Sequence, residues 1–141
     1  MGRKTINEVQ DEIVEEYEVF DDWMDKYAML IEAGSALAGL DDEEKRPEML
    51  IEGCQSRVWI IAEMRDGLLY FRADSDALIV KGLVALLLRV MDGREPSEIA
   101  QANLYFIDRM GLSEHLSPTR SNGLLSMLKQ MKYYALVYSK A

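Results

Sequence analysis

Residues 76–90 form the most apolar stretch of the chain, and only Lys81, Gly82 and Arg89 interrupt it. A helix that is apolar on nearly all sides has to be covered by other elements. The stretch is too short and too charged to span a bilayer, which needs about 20 predominantly apolar residues. The sequence therefore predicts a central buried helix and gives no sign of a membrane segment.

Small and polar residues mark the two ends of this helix. Ser75 or Asp76 is the predicted N-cap, because a short oxygen-bearing side chain can accept a hydrogen bond from the free N–H groups of the first turn. Gly93 is the predicted stop, because glycine readily adopts the left-handed conformation that closes a helix.

Two amphipathic helices are predicted before it. The segment Thr5–Glu8 has the capping-box pattern, in which a hydroxyl and a glutamate satisfy each other's backbone N–H groups. Apolar residues then recur at helical spacing until just before Asp21 or Asp22, one of which caps the second helix. The second helix is expected to end between Gly34 and Gly39.

A β-hairpin is predicted from two apolar runs, Val58–Ile61 and Leu68–Phe71. The pair Asp66-Gly67 lies between them, and such a pair favours a tight turn because both residues take positive φ. Residues 49–51 are a candidate third strand, since Pro47 favours extended backbone before the next segment.

The C-terminal part is predicted to be helical. Short helices are expected at residues 96–98 and 103–110, and a long helix from the Ser117-Pro118 pair to about Ser139. The residues expected to face inward on this long helix are Leu124, Leu125, Leu128, Met131 and Leu136. Helices, then a hairpin sheet, then more helices indicate the α+β class and a single domain over residues 1–141.

The charge of the chain limits its partners. A formal net charge of −9 disfavours nucleic acid, because phosphate binding needs a clustered basic face. The N-terminus lacks the pattern of an export signal, and cysteine is rare. Together these features predict a cytoplasmic protein without nucleic-acid or membrane partners.

Cys54 is the only cysteine of the chain. One thiol cannot form an internal disulfide or supply the ligands of a zinc or iron–sulfur site, so no metal site is predicted. Gly53 precedes it, and the polar residues Gln55 and Ser56 follow, which is typical of a loop at the mouth of the hairpin. The pattern favours a sheltered but reachable thiol over a buried inert one.

A cysteine hydrolase would also need a base, and His115 is the only histidine. Its neighbours are polar, which favours a solvated loop residue. A thiol enzyme that uses Cys54 with His115 therefore remains an alternative hypothesis.

Three sequence blocks, in this order, resemble the SufE family, the sulfur-acceptor proteins of iron–sulfur cluster assembly. They are Gly53-Cys54-Gln55-Ser56 with Val58-Trp59, Ser75-Asp76-Ala77 with Ile79-Val80-Lys81-Gly82, and residues 115–121 with Gly123. The resemblance extends over nearly the whole chain from the first helix onward.

The resemblance implies a SufE- or IscU-like fold, with helices packed on a small antiparallel sheet. It implies that Cys54 takes a sulfane sulfur from a pyridoxal-phosphate-dependent cysteine desulfurase of the SufS or CsdA type, stimulates that enzyme and passes the sulfur to a scaffold such as SufBCD. The chain would be a stoichiometric carrier rather than an enzyme, and the cofactor would belong to the partner. The positions that match loop-supporting or partner-contacting residues of the family are Gly53, Gln55, Ser56, Asp76 and Arg120.

A second hypothesis is an adaptor that binds the desulfurase without relaying sulfur. The identity of the desulfurase stays open at this point, as does the formation of a homodimer.

Overall fold

The computed structural model describes residues 4–51, 56–116 and 118–139. The helices are α1 (Ile6–Glu18), α2 (Trp23–Ser35), α3 (Leu78–Met91), α4 (Pro96–Gln101), α5 (Phe106–Arg109), α6 (Leu112–His115) and α7 (Pro118–Ser139). A 3-10 helix, Pro47–Met49, precedes the two strands β1 (Val58–Arg65) and β2 (Leu68–Ser75). This is the α+β fold predicted from the order of elements, with two N-terminal helices and a long C-terminal one.

Local side-chain caps begin the first two helices. The Thr5 hydroxyl accepts from the Glu8 N–H at 3.1 Å, and the Glu8 carboxylate accepts from the Thr5 N–H at 3.0 Å. The Asp22 carboxylate accepts from the Met24 N–H at 2.9 Å at the start of α2. The predicted capping box and the predicted second cap are both confirmed.

The hairpin is also confirmed. Strands β1 and β2 pair antiparallel, with Val58 opposite Ser75 and Arg65 opposite Leu68. Asp66 and Gly67 form the turn with φ angles of 53° and 81°. Both residues thus adopt the positive φ that a tight hairpin turn requires.

The candidate third strand is reduced to a single bridge. Pro47 begins the 3-10 helix instead of an extended segment, because its fixed φ suits the first turn of a helix. Only Leu50 then pairs with Trp59, and the Ile51 N–H donates to the Val58 carbonyl at 2.9 Å.

Helix α3 is the buried centre of the molecule, as predicted. Its N-cap, however, is neither of the two predicted residues. The cap is Ala77, and no side chain bonds to the first turn as a cap. Ser75 and Asp76 instead make hydrogen bonds to the backbone of Arg57. The helix ends just before Gly93, whose φ of 69° fits the predicted stop. Among the helices that the structure describes, none has the length and apolarity needed to cross a membrane.

Helices α2 and α3 pack backbone against backbone. A Cβ atom on Gly82 would lie 2.2 Å from the Leu30 carbonyl oxygen, and one on Gly34 would lie 2.8 Å from the Gly82 nitrogen. No side chain fits between the helices at this point. The two glycines therefore set the distance between α2 and α3.

The inner face of α7 differs from the predicted one. Leu125 and Leu136 are exposed, at 49% and 50%, and Leu128 is only partly buried. The buried apolar side chains that the structure describes on α7 recur every three or four residues and are Leu124, Met127, Met131 and Ala135. Leu125 and Leu136 lie off this stripe, so the prediction was wrong for these two residues. Ser117, the predicted cap of α7, lies outside the described residues.

The segment between α3 and α7 contains three short helices rather than two. Gly111, with a φ of 76°, separates α5 from α6. The predicted helix over residues 103–110 is thus shorter in the structure, and α6 follows it as an additional turn.

Asp74 joins three parts of the fold near the end of β2. Its buried carboxylate accepts from the N–H groups of Leu40 at 3.1 Å and Ser75 at 2.8 Å. The ammonium groups of Lys45 and Lys81 lie 3.3 and 3.2 Å away. Burial opposes ionisation, but these hydrogen bonds and lysines outweigh it and lower the pKa of Asp74 below its usual value.

Replacing Gly82 with Ala should test the contact between α2 and α3. The new Cβ would overlap the Leu30 backbone, so we expect the free energy of unfolding to fall by more than about 2 kcal/mol. Gly67→Ala is the matched control, because its Cβ meets open space and only the positive φ costs about 1 kcal/mol. Urea denaturation measures both; a Gly82 variant no less stable than the Gly67 variant would contradict the packing.

Asp74→Asn should lower the free energy of unfolding at pH 7 by roughly 2–4 kcal/mol, because it leaves two lysines without their partner. The pKa of Asp74 is lowered in the folded state, so its stabilisation is complete above the unfolded pKa of about 3.9 and is lost as the pH falls through the folded pKa. The stability gap between native protein and variant should therefore be constant from pH 7 to pH 5 and narrow below pH 4. Urea denaturation across this range checks it, with Asp42→Asn in the exposed connector as control. A gap that stays constant down to pH 3 would contradict this role.

Candidate functional site

The predicted reactive segment begins and ends at one place in the fold. Gly53, Cys54 and Gln55 lie outside the described residues, but both flanks are described. Ile51 and Val58 are buried and joined by the 2.9 Å hydrogen bond between their backbones. The residues between them, for which the sequence predicts a loop, therefore connect two positions that are hydrogen-bonded to each other at the start of β1.

The downstream end of this loop is attached to the end of β2 and the residue after it. The Arg57 N–H donates to the Asp76 carboxylate at 3.0 Å, and the Arg57 carbonyl accepts from the Ser75 hydroxyl at 2.8 Å. The same carbonyl accepts from the Asp76 N–H at 3.3 Å. These bonds fix the backbone three residues after Cys54, so Ser75 and Asp76 act as an anchor for the loop.

The other predicted supporting residues are placed less fully. Ser56 is partly buried beside the anchored Arg57. Arg120 lies in the first turn of α7, and its side chain is outside the described part of the chain. The roles of Ser56 and Arg120 stay predictions, and so do those of Gly53 and Gln55.

An ion cluster next to the anchor was missed by the sequence interpretation. Asp74 pairs with Lys45 and Lys81, and the Lys45 ammonium also lies 5.1 Å from the ring centre of Trp59. The cluster thereby links the segment of Lys45, which precedes the predicted loop, to β2 and α3. Lys81 was the signal that could have found it, because a cation inside the most apolar stretch needs a carboxylate partner.

His115 has a packing partner. It belongs to α6 rather than to a loop, and its ring stacks on the Trp23 indole with centres 4.0 Å apart and an angle of 20°. Its backbone carbonyl accepts from the Tyr27 hydroxyl at 3.0 Å. The prediction of a solvated residue is confirmed, since His115 is exposed, but the prediction of a loop was wrong, because the residue belongs to a helix and its ring stacks on Trp23. A Cys54–His115 dyad stays an untested hypothesis.

A cleft opens beside the upstream end of the loop. It has a volume of about 610 Å³ and lies between the 3-10 helix and α7. Leu50 and Ile51 line one side, and Tyr133 and Lys129 line the other. Among residues 4–51, 56–116 and 118–139, no three His, Cys, Asp or Glu side chains form a group that could hold a metal ion.

Comparison with known proteins matches the predicted resemblance. The model of the SufE family, described as an Fe–S metabolism associated domain, matches residues 11–135. An uncharacterized SufE-like protein of Rhizobium etli is 40% identical over 136 residues, which cover 93% of this chain and 92% of that protein. An uncharacterized SufE-like protein of Rhizobium meliloti is 38% identical over 127 residues, covering 86% of this chain and 91% of that protein.

A solved structure supports the fold. The solution structure of a hypothetical protein from Thermus thermophilus superposes with a TM-score of 0.77 at 17% identity, covering 94% of this chain and 97% of the other. At that identity the likeness concerns the fold alone. The family match over residues 11–135 and two relatives at about 40% identity go further: the chain belongs to the SufE family, which is associated with iron–sulfur metabolism.

Proposed function

We propose that this protein is a persulfide carrier, in which Cys54 accepts a sulfane sulfur from a cysteine desulfurase and passes it to an iron–sulfur scaffold. Membership of the SufE family supports a place in iron–sulfur metabolism. The observation that carries the proposal is the anchored loop: the sequence supplies one thiol, and hydrogen bonds to Ser75 and Asp76 hold the backbone just downstream of it.

The chemistry needs no base within this chain. The Cys54 thiolate attacks the outer sulfur of the partner's persulfide, a new S–S bond forms on Cys54, and the partner's own thiolate leaves as the old S–S bond breaks. Atoms and electrons balance without an oxidant. The pyridoxal phosphate that releases sulfur from cysteine belongs to the partner enzyme, and no resident cofactor is proposed here.

An anchored loop suits this reaction because the thiol has to be both sheltered and reachable. A persulfide that is permanently exposed would be reduced by small thiols before delivery. The hydrogen bond between Ile51 and Val58 and the bonds to Arg57 hold both ends of the segment that contains Cys54 against the core.

Apolar side chains surround the two ends of the loop and support docking of a protein partner. Leu78 is 67% exposed two residues after Asp76, and Leu50 is 38% exposed just before Ile51. The strongly acidic chain would favour a basic surface on the desulfurase. Tyr133 lies exposed across the cleft from Leu50 and extends this surface onto α7.

The two other hypotheses can be separated from this one. The adaptor would bind the desulfurase through the same surface without chemistry at Cys54. No contact among the described residues distinguishes the adaptor from the carrier. The thiol enzyme would need His115 as a base, whereas its ring stacks on Trp23 and is thereby engaged in packing. No observation among the described residues favours either of them over the carrier.

Incubation with a cysteine desulfurase, its pyridoxal phosphate and cysteine should add the mass of one sulfur atom to this chain. Intact mass spectrometry should show the gain and its loss on treatment with a reductant. Cys54→Ser should gain no mass, whereas His115→Ala should gain as much as the native protein. A Cys54→Ser variant that still stimulates the desulfurase fully would favour the adaptor.

Asp76→Arg should loosen the loop, because the Arg57 N–H loses its acceptor and a cation replaces it. We expect alkylation of Cys54 in the folded protein to accelerate roughly fivefold, which corresponds to about 1 kcal/mol of lost hydrogen bonding. Ser75→Ala, which removes the other side-chain contact to Arg57, should act in the same direction, and Asp42→Arg in the connector should not.

The reference for these alkylation rates is the denatured chain. Native Cys54 that reacts as fast as the denatured chain would show that the loop offers no shelter. Unchanged rates in both anchor variants would show that Ser75 and Asp76 do not control access to the thiol.

A further inference from the structure

One buried hydroxyl lacks a hydrogen-bond partner among the residues that the structure describes. It belongs to Tyr17, on α1, whose side chain is only 2% exposed. Buried tyrosine hydroxyls normally find partners, because removing an unpaired one from water is unfavourable. Phenylalanine would fill the same space without this cost, so the hydroxyl calls for a physical explanation.

Tyr17 lines a cavity of about 370 Å³ between α1, α2 and α3. Small and flexible side chains form its apolar walls, among them Met29, Ala33, Ala85 and Leu86. The volume lies at the lower end of the range of small-molecule sites, which runs from about 300 to 1,000 Å³. The cavity can therefore accept a molecule with an apolar body of about one ring.

The charged residues at the cavity leave one negative charge uncompensated. Arg89 and Glu16 form a bidentate ion pair, with nitrogen–oxygen distances of 2.8 and 2.5 Å. Glu32 also lines the cavity, is exposed, and forms no ion pair with any described residue. The cavity is consequently suited to a cation and not to an anion.

The phenol of Tyr17 lies within electrostatic reach of these charges. Burial, and after it the Glu16 carboxylate, raises the pKa of Tyr17 to about 12. The group therefore stays protonated at neutral pH and is available both to donate and to accept a hydrogen bond.

We propose that this cavity binds a small primary amine with an apolar body. The apolar body would lie against Ala33, Ala85 and Met29. The ammonium group would pair with the Glu32 carboxylate and donate a hydrogen bond to the Tyr17 hydroxyl oxygen. The site is separate from the cysteine loop, and its binding does not depend on sulfur transfer.

Three probes of nearly equal size and different charge test the proposal: 2-phenylethylamine, 2-phenylethanol and phenylacetate. The 141-residue protein is titrated with each probe, and isothermal calorimetry and NMR of the Met29 methyl are the two readouts. The dissociation constant for the amine should be at least about tenfold lower than that for the alcohol. Phenylacetate should bind most weakly, because Glu32 repels it. Equal binding of amine and alcohol would overturn the assignment, as would the absence of binding by the amine.

Variants locate the bound amine. Tyr17→Phe should weaken amine binding at least about fivefold while leaving the melting temperature equal or higher, because the lost hydroxyl has no partner in the described chain. Glu32→Gln should reduce the amine to the affinity of the alcohol. Glu15→Gln, an exposed carboxylate on α1 that does not line the cavity, is the matched control for charge.

Filling the cavity provides the steric test. Ala33→Leu should abolish binding of the amine, whereas Ala28→Leu on the exposed side of the same helix should not. Amine binding that survives both Tyr17→Phe and Ala33→Leu would mean that the acidic surface attracts the cation without a specific site. In that case the proposal fails.

Discussion

Contact between the backbones of α2 and α3 determines where the other elements can lie. Gly82 has no side chain, and this allows α3 to approach the Leu30 carbonyl more closely than any other residue would permit. Strand β2 leads almost directly into α3, so the position of α3 fixes the positions of Ser75 and Asp76. Lys81, next to Gly82, reaches the Asp74 carboxylate. A steric requirement inside the core thus places the polar residues at the edge of the site.

The anchor links a tightly packed core to the segment that contains Cys54. Ser75 and Asp76 bind the backbone of Arg57, so they hold the end of the loop whatever side chain stands there. Under the proposed function this arrangement has an energetic consequence. The hydrogen bonds already hold the end of this segment before a partner binds, so docking of the desulfurase should cost little conformational entropy at Arg57.

Features set by neighbouring residues could be predicted from the sequence. The capping box at Thr5 and the turn at Asp66-Gly67 depend on residues close together in the chain, and both are confirmed. The position of Asp76 could not be predicted in the same way, because its carboxylate can satisfy either its own helix or the N–H of Arg57, which is distant in sequence. The exposure of Leu125 and Leu136 depends on which stripe of α7 meets the core. Both outcomes are decided by tertiary contacts that no local pattern contains.

The proposed amine cavity and the loop anchor both depend on α3, and this raises the question of whether they are coupled. A ligand shifts a conformational equilibrium only if it binds the two states with different affinity. The cavity is formed by α1, α2 and the C-terminal half of α3, whereas the anchor lies before the first turn of α3. The close contact at Gly82 lies between them and leaves α3 little freedom to shift relative to α2. Occupation of the cavity should therefore stabilise the whole fold by mass action and leave the hydrogen bonds between the anchor and Arg57 unchanged.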